Sequence, residues 1–359
     1  MKTRMKKGIA TIVVFALTVL SLTACGESSS ETGQSGSDDF TFKIGMENGS
    51  VCLAPIHIAE DLGYFKEEFD KAGVSYELVE VNIQQVAEMT AAGQIDGTAG
   101  LSGSLIPQMD SGLEITFTGG IHTGCTKYYV KADSDIQSLE QLKGKKIGVP
   151  GISDTSVIAL KRKLFDLGIG VSTNNMEIEL VAYNMTDLPQ ALDNGAVDAV
   201  AMHDPVATTA EKEYGFRKIL DLTEDEKFSK EYCCQTYVST KVAEEHPEAA
   251  AAYTRAVLKA SAYVQANPED AAQLQIDNKQ CSGDVKENAG LLSSYNYTPS
   301  VSVAKESLRK AADELIRIGD LSEGQDFDAF TKAHFKEFDD VPESYTYNED
   351  GTFTEVPKA

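Results

Sequence analysis

Three of the five histidines, His57, His122 and His203, fall in or beside loops rich in Ser, Thr and Gly. An imidazole so placed can hydrogen-bond an anionic group or, with Cys52 and Cys125, hold a soft metal. No His or Cys spacing matches a metal motif, so no metal is assigned. A second chemistry is offered by Leu101-Ser102-Gly103-Ser104 and Gly151-Ile152-Ser153-Asp154-Thr155-Ser156, which place hydroxyls where helices begin. A helix N-terminus carries about half a positive charge and unpaired amides, which suits a sulfonate, nitrate, phosphate or carboxylate. Asp154 and Asp204 oppose an anion there unless they are paired. Cys233 and Cys234 are adjacent and could form a vicinal disulfide, but two buried thiols are expected. Gly100-Leu101-Ser102-Gly103-Ser104 lacks the last glycine of a nucleophile elbow, and neither a phosphate-binding Gly-x4-Gly-Lys nor His-Glu-x-x-His occurs. No catalytic residue and no cofactor is therefore expected, and the chain is read as a binder rather than an enzyme.

The elements that position these residues are legible through a weak internal repeat. Lys43-Ile44-Gly45 returns as Lys146-Ile147-Gly148, Glu77-Leu78-Val79 as Glu179-Leu180-Val181, and Gly93-Gln94-Ile95-Asp96 as Gly195-Ala196-Val197-Asp198. Each copy reads strand, helix, strand, helix, strand. In the first copy a helix over 55–69 turns Ile58, Leu62 and Phe65 inward, a second helix spans 84–92, and a strand spans 95–101. In the second copy Ser153 or Asp154 caps a helix whose Val157, Leu160, Leu164 and Leu167 form an apolar stripe, stopped by Gly168. Val197 to Met202 is an unbroken apolar run, as a buried parallel strand requires. The tract from Gly119 to Gly124 links the copies, and 231–240 reads as a strand that returns to the first. Beyond it, 242–318 is Ala-rich and helical, broken near Asn267-Pro268, Ser282-Gly283 and Thr298-Pro299. The fold class is α/β: two Rossmann-like lobes joined by a two-strand hinge, with C-terminal helices. In open α/β sheets ligands bind beyond the carboxyl ends of the strands, and there the histidines and hydroxyl loops lie.

The N-terminus carries a different message. Lys2, Arg4, Lys6 and Lys7 precede an uncharged run from Gly8 to Gly26, whose apolar part is too short to span a bilayer. Leu22-Thr23-Ala24-Cys25 follows and resembles a bacterial lipobox, in which the thiol of Cys25 takes a diacylglyceryl group. Residues 1–24 are read as a signal peptide and 25–39, polar throughout until Phe40, as a tether. Without the four basic residues of the leader, 28 basic side chains face 56 acidic ones, a net charge of −28. Such a surface repels nucleic acid and anionic lipid, so the membrane is met through the lipid alone. Five cysteines remain after Cys25, an odd number that cannot all pair within one chain.

Residues 42–222 resemble the type II solute-binding proteins of ABC importers, in the group named for nitrate, alkanesulfonate and taurine binding, with its thiamine-pyrimidine-precursor relatives. The resemblance is carried by Ile58-Ala59-Glu60-Asp61-Leu62-Gly63-Tyr64-Phe65, by Ala92-Gly93-Gln94-Ile95-Asp96, by Ser138-Leu139-Glu140-Gln141-Leu142-Lys143-Gly144-Lys145 entering a strand, and by Asn194-Gly195-Ala196-Val197-Asp198-Ala199. It implies lobes made of 40–125 with 235–359 and of 126–234, closing on a small solute and presenting it to an ABC permease with a cytoplasmic ATPase. A monomer is expected. The family's ligand loops map onto Ser102 to Ser104 and Ser153 to Thr155, and its aromatic-acid-proline segment onto His203-Asp204-Pro205, where histidine replaces the aromatic. The expected ligand-binding residues are His57, Ser102, Gly103, Ser104, His122, Thr123, Ser153, Asp154, Thr155, Tyr183, His203 and Asp204. The expected solute is a small organic anion of the sulfonate, nitrate or taurine kind. Alternatives are a thiamine pyrimidine precursor or other heteroaromatic flanked by Tyr183 and the histidines, and a sensory or adhesive surface lipoprotein.

Overall fold

The computed structural model describes residues 40–358, apart from Gln84 and Glu323. The expected signal peptide, Cys25 and the tether lie outside the described residues. The strands are β1 (Thr41–Glu47), β2 (Ser75–Val81), β3 (Gly97–Leu101), β4 (Ile115–Thr123), β5 (Thr126–Val130), β6 (Lys146–Val149), β7 (Val171–Ser172), β8 (Asn175–Met176), β9 (Glu179–Ala182), β10 (Ala199–His203), β11 (Arg217–Asp221), β12 (Tyr232–Ser239), β13 (Ser344–Tyr347) and β14 (Phe353–Val356). They form two five-stranded sheets, ordered β2-β1-β3-β12-β4 and β11-β5-β10-β6-β9, and two small hairpins, β7-β8 and β13-β14. The chain leaves the first sheet between β4 and β5 and returns between β11 and β12, the two crossings expected of the hinge.

The repeat is structural. Lys43 lies opposite Glu77 across the parallel pair β1 and β2, and Lys146 lies opposite Glu179 across β6 and β9. The Lys43 N–H donates to Asp96 at 2.8 Å, and the Lys146 N–H donates to Asp198 at 2.8 Å. Each aspartate thus fixes the strand that enters beside it. Gly45 and Gly148 are required by the same packing: a Cβ would sit 3.0 Å from Ile95 at the first and 2.9 Å from Leu188 at the second.

The expected first helix is two helices, Ala54–Asp61 and Tyr64–Ala72, because Gly63 adopts φ +76° between them. The break turns Leu62 outward, to 37% exposure, where the sequence had placed it inside. Leu167 likewise is 39% exposed, since it follows the end of the helix Thr155–Asp166 rather than continuing its stripe. Asp154 caps that helix by accepting the Ser156 N–H at 2.8 Å.

Helices Pro247–Ala266, Pro268–Asp277, Val285–Ser294 and Val301–Ile318 break where the sequence places the breaks. The Ala-rich face of the first lets it approach β4 closely; a Cβ on Gly119 would sit 3.0 Å from Leu258. The helix Val301–Ile318 leans on Thr155–Asp166, where Arg162 is held by Glu314 at 2.5 Å and Glu231 at 2.7 Å. No helix among the described residues is long and apolar enough to cross a membrane.

Candidate functional site

The strand ends of both sheets converge. After β1 the chain turns through Gly49 into a short helix, Val51–Leu53, that carries Cys52; β3 ends at Leu101, β10 at His203, and Asp154 follows β6. Together with Glu47 and Cys234 these residues line one cleft of about 330 Å³.

His203 and Asp154 form its polar wall. The imidazole Nε2 lies 2.9 Å from Asp154 Oδ1, and Nδ1 lies 2.8 Å from the Thr126 hydroxyl. Burial disfavours the imidazolium, but the adjacent carboxylate outweighs it and raises the His203 pKa well above its ordinary value. Burial likewise opposes ionisation of Asp154, and the His203 charge and hydrogen bond nonetheless hold its carboxyl below the usual range. The pair is therefore ionised and close to neutral in sum. Asp204 is used up. It accepts from Lys127 at 2.7 Å, Tyr295 at 2.8 Å and the Thr208 N–H and hydroxyl at 3.0 and 2.6 Å, and its peptide bond to Pro205 is cis. Glu47 differs: burial raises its pKa, and its Oε2 is buried without a hydrogen-bond partner.

The hydroxyl loops are not arranged as the sequence predicts. The Ser102 hydroxyl lies 3.3 and 3.2 Å from the carbonyls of Tyr232 and Cys233, and the Ser104 hydroxyl 2.9 Å from that of Leu101. The Ser104 N–H donates to the Thr155 hydroxyl at 2.9 Å, so the two helix starts meet each other instead of flanking an anion. Gly103 permits that approach, since a Cβ would stand 3.0 Å from Thr155 Cγ2. Ser153 and Asp154 line a second, neighbouring opening of about 450 Å³ with Ser104. Thr123 is buried, and Tyr183 packs on the smaller hydrophobic cluster around Leu188 and Val200; neither lines the cleft.

The three histidines part company. His57 is fully buried, with Nε2 2.7 Å from the Glu47 carbonyl and Nδ1 2.8 Å from the Gln275 amide, and burial lowers its pKa to about 4. It is a neutral pin that ties the first helix to the C-terminal helices. His122, also fully buried, stacks beside Tyr295 and Tyr297 at 5.4 and 5.0 Å. Its Nδ1 lies 3.2 Å from the Thr123 carbonyl and 3.6 Å from Cys233 Sγ, and its Nε2 is buried with no hydrogen-bond partner.

Sulfur surrounds this ring. Cys234 on β12 is directly opposite His122 on β4, Cys52 comes from the short helix after β1, and Cys125 sits in the first crossing at φ +113°. One ligand atom from each of Cys52, His122, Cys125 and Cys234 lies within 4.8 Å of the others. Cys233 points to the Gly124 carbonyl, 3.5 Å from Cys125 Sγ, and the five thiols of the described residues form no disulfide; of the adjacent pair expected to be buried, Cys234 is buried and Cys233 only partly so. Contact with Cys233 raises the Cys125 pKa, those with Cys234 and Cys52 lower it, and the balance is about 7. Cys52, Cys125 and Cys234 line the cleft; the sequence offers Cys52 and Cys125 only as partners of the histidines for a soft metal and does not single out Cys234. The signal for Cys234 was strand alternation, which turns it away from Cys233.

Residues 51–271 match the NMT1/THI5-like family over more than half of the chain. This chain belongs to that family. Among curated proteins it is similar to a putative aliphatic sulfonates-binding protein of Bacillus subtilis, at 25% identity over 340 residues and 93% of each chain. Among solved structures it is similar to the alkanesulfonate-binding protein SsuA of Xanthomonas axonopodis pv. citri bound to MOPS, with TM-score 0.65, 15% identity and coverage of 83% of this chain and 98% of that one. The nitrate-binding protein NrtA of Synechocystis PCC 6803 gives TM-score 0.65 at 15% identity, over 82% and 86%. The NMT1/THI5-like chain thus has the periplasmic-binding-protein fold of these structures.

Proposed function

We propose that this protein is the lipid-anchored receptor of an ABC importer, capturing a small organic solute by closure of two lobes, one built on each five-stranded sheet, with β12 placing residues 232–234 in the first lobe rather than in the expected 126–234. The observation that carries the reading is one cleft walled from both sheets: Glu47, Cys52, Leu101 and Cys234 from the first, Asp154 and His203 from the second. A solute touching both walls makes its full set of contacts only when they close, so binding shifts the open–closed equilibrium. A permease with a cytoplasmic ATPase then takes the solute, and the thiol of Cys25 carries the lipid.

The solute we favour is a small organic anion that also bears a donor, as an aminosulfonate of the taurine kind does. The His203 ring, already paired with Asp154, lines the wall that its acid group meets, and the unpartnered Glu47 oxygen faces its amine. A second reading, a nitrogen heteroaromatic such as a pyrimidine, is favoured by the same Glu47 oxygen and by the absence of Lys and Arg among the cleft-lining residues.

Thermal unfolding of the protein with taurine, plain alkanesulfonates, nitrate and aminopyrimidines decides between them. A solute at a hundred times its dissociation constant stabilises the protein by roughly 2.7 kcal/mol. Glu47→Gln is expected to weaken taurine more than a plain alkanesulfonate; equal losses for both remove Glu47 from the site.

A further inference from the structure

We propose that Cys52, Cys125, Cys234 and His122 bind one thiophilic d10 cation, Zn2+ or Cu+, at the floor of the cleft. The four ligand atoms lie within 4.8 Å of one another, drawn from four separate segments: the short helix after β1, the end of β4, the first crossing and the start of β12. In a tetrahedral zinc site, metal–sulfur bonds of about 2.3 Å place the sulfurs about 3.8 Å apart. The cluster needs to contract by only about 1 Å to reach that geometry.

His122 supplies a second, independent observation. Its Nδ1–H donates to the Thr123 carbonyl, which leaves the Nε2 lone pair free. That nitrogen is fully buried with no hydrogen-bond partner, a costly arrangement for an imidazole without a ligand. A ring fixed through one nitrogen by a backbone carbonyl, with the other bare, is the usual posture of a metal-ligating histidine. Tyr295 and Tyr297 keep water from its faces.

The donor set selects the ion. Three sulfurs and one imidazole suit a soft cation and exclude Ca2+ and Mg2+, which take oxygen. Because Cys52, Cys125 and Cys234 also line the cleft, the ion would form part of the surface the solute meets. The site rests on its own four side chains and stands whichever solute fills the cleft.

The test uses the full chain, reduced and freed of metal, titrated with Zn2+ and Cu+ against chromophoric chelators, and with Co2+ as a spectroscopic probe. One equivalent of Zn2+ or Cu+ is expected, and Co2+ should show thiolate charge transfer with the intense visible bands of a tetrahedral site. Cys52→Ser, Cys234→Ser and His122→Ala are each expected to weaken binding at least ~10-fold, while Cys281→Ser, outside the cluster, leaves it unchanged. Cys52 is only partly buried, so Cys52→Ser keeps the test open if the Cys234 variant fails to fold. Failure to retain either ion, or unaltered affinity in Cys52→Ser, overturns the proposal.

Discussion

Two regions at the strand ends offer ligand chemistry, and they are built in opposite ways. In the hydroxyl loops nearly every donor and acceptor is matched within the protein: Ser102 to two carbonyls, Ser104 to Thr155, Asp154 to Ser156 and His203. Around the cleft floor two polar atoms remain unmatched, His122 Nε2 and Glu47 Oε2, beside three thiols that form no disulfide. Buried polar atoms left over are where a ligand gains most, because their desolvation has already been incurred. Residue types that suit an anion thus serve the fold in one place, and residues that look like ordinary core serve binding in the other.

That contrast can be broken by mutation, starting with the largest effect. Lys127→Ala strands the Asp204 carboxylate, 1% exposed, without its ion partner. A loss of about 3–5 kcal/mol in denaturant unfolding is expected. A stable variant that no longer binds solute would instead make Lys127 part of the site. Next is pH. His57 is neutral in the fold with a pKa of about 4, against 6.5 in the unfolded chain. Its contribution is fully present above pH 6.5 and is lost as pH falls toward 4, about 3 kcal/mol in all. Unfolding of His57→Gln should lack that part of the pH dependence; an unchanged profile means that the imidazole is not the neutral pin described. The smallest effect belongs to Ser102→Ala, which removes one buried hydroxyl at about 1 kcal/mol and leaves solute affinity as it was. A tenfold loss of affinity there would return the hydroxyl loops to the site.

The architecture was legible because it is written twice. Lys43 with Asp96 and Lys146 with Asp198 make the same local bonds, so each copy checks the other. The C-terminal helix breaks were equally plain, marked by Pro and Gly. Burial at element ends was not: Leu62 and Leu167 fit the helical period, yet Gly63 and the end of the helix Thr155–Asp166 turn them out. The site was half legible. Asp154, His203 and Asp204 were found from their place after strands. Cys52 and Cys125 were named only as possible soft-metal partners and Cys234 not at all, because a group drawn from distant parts of the sequence has no spacing to read.

The most direct measurement is small-angle scattering of the protein with and without a solute identified by thermal unfolding, alongside Met185→Trp, which puts a bulky ring at a residue that lines the cleft. Contraction of the wild type on binding, with neither contraction nor binding in the variant, is the predicted result. Solute binding with undiminished affinity in Met185→Trp, or without any contraction of the wild type, would contradict capture between two closing lobes.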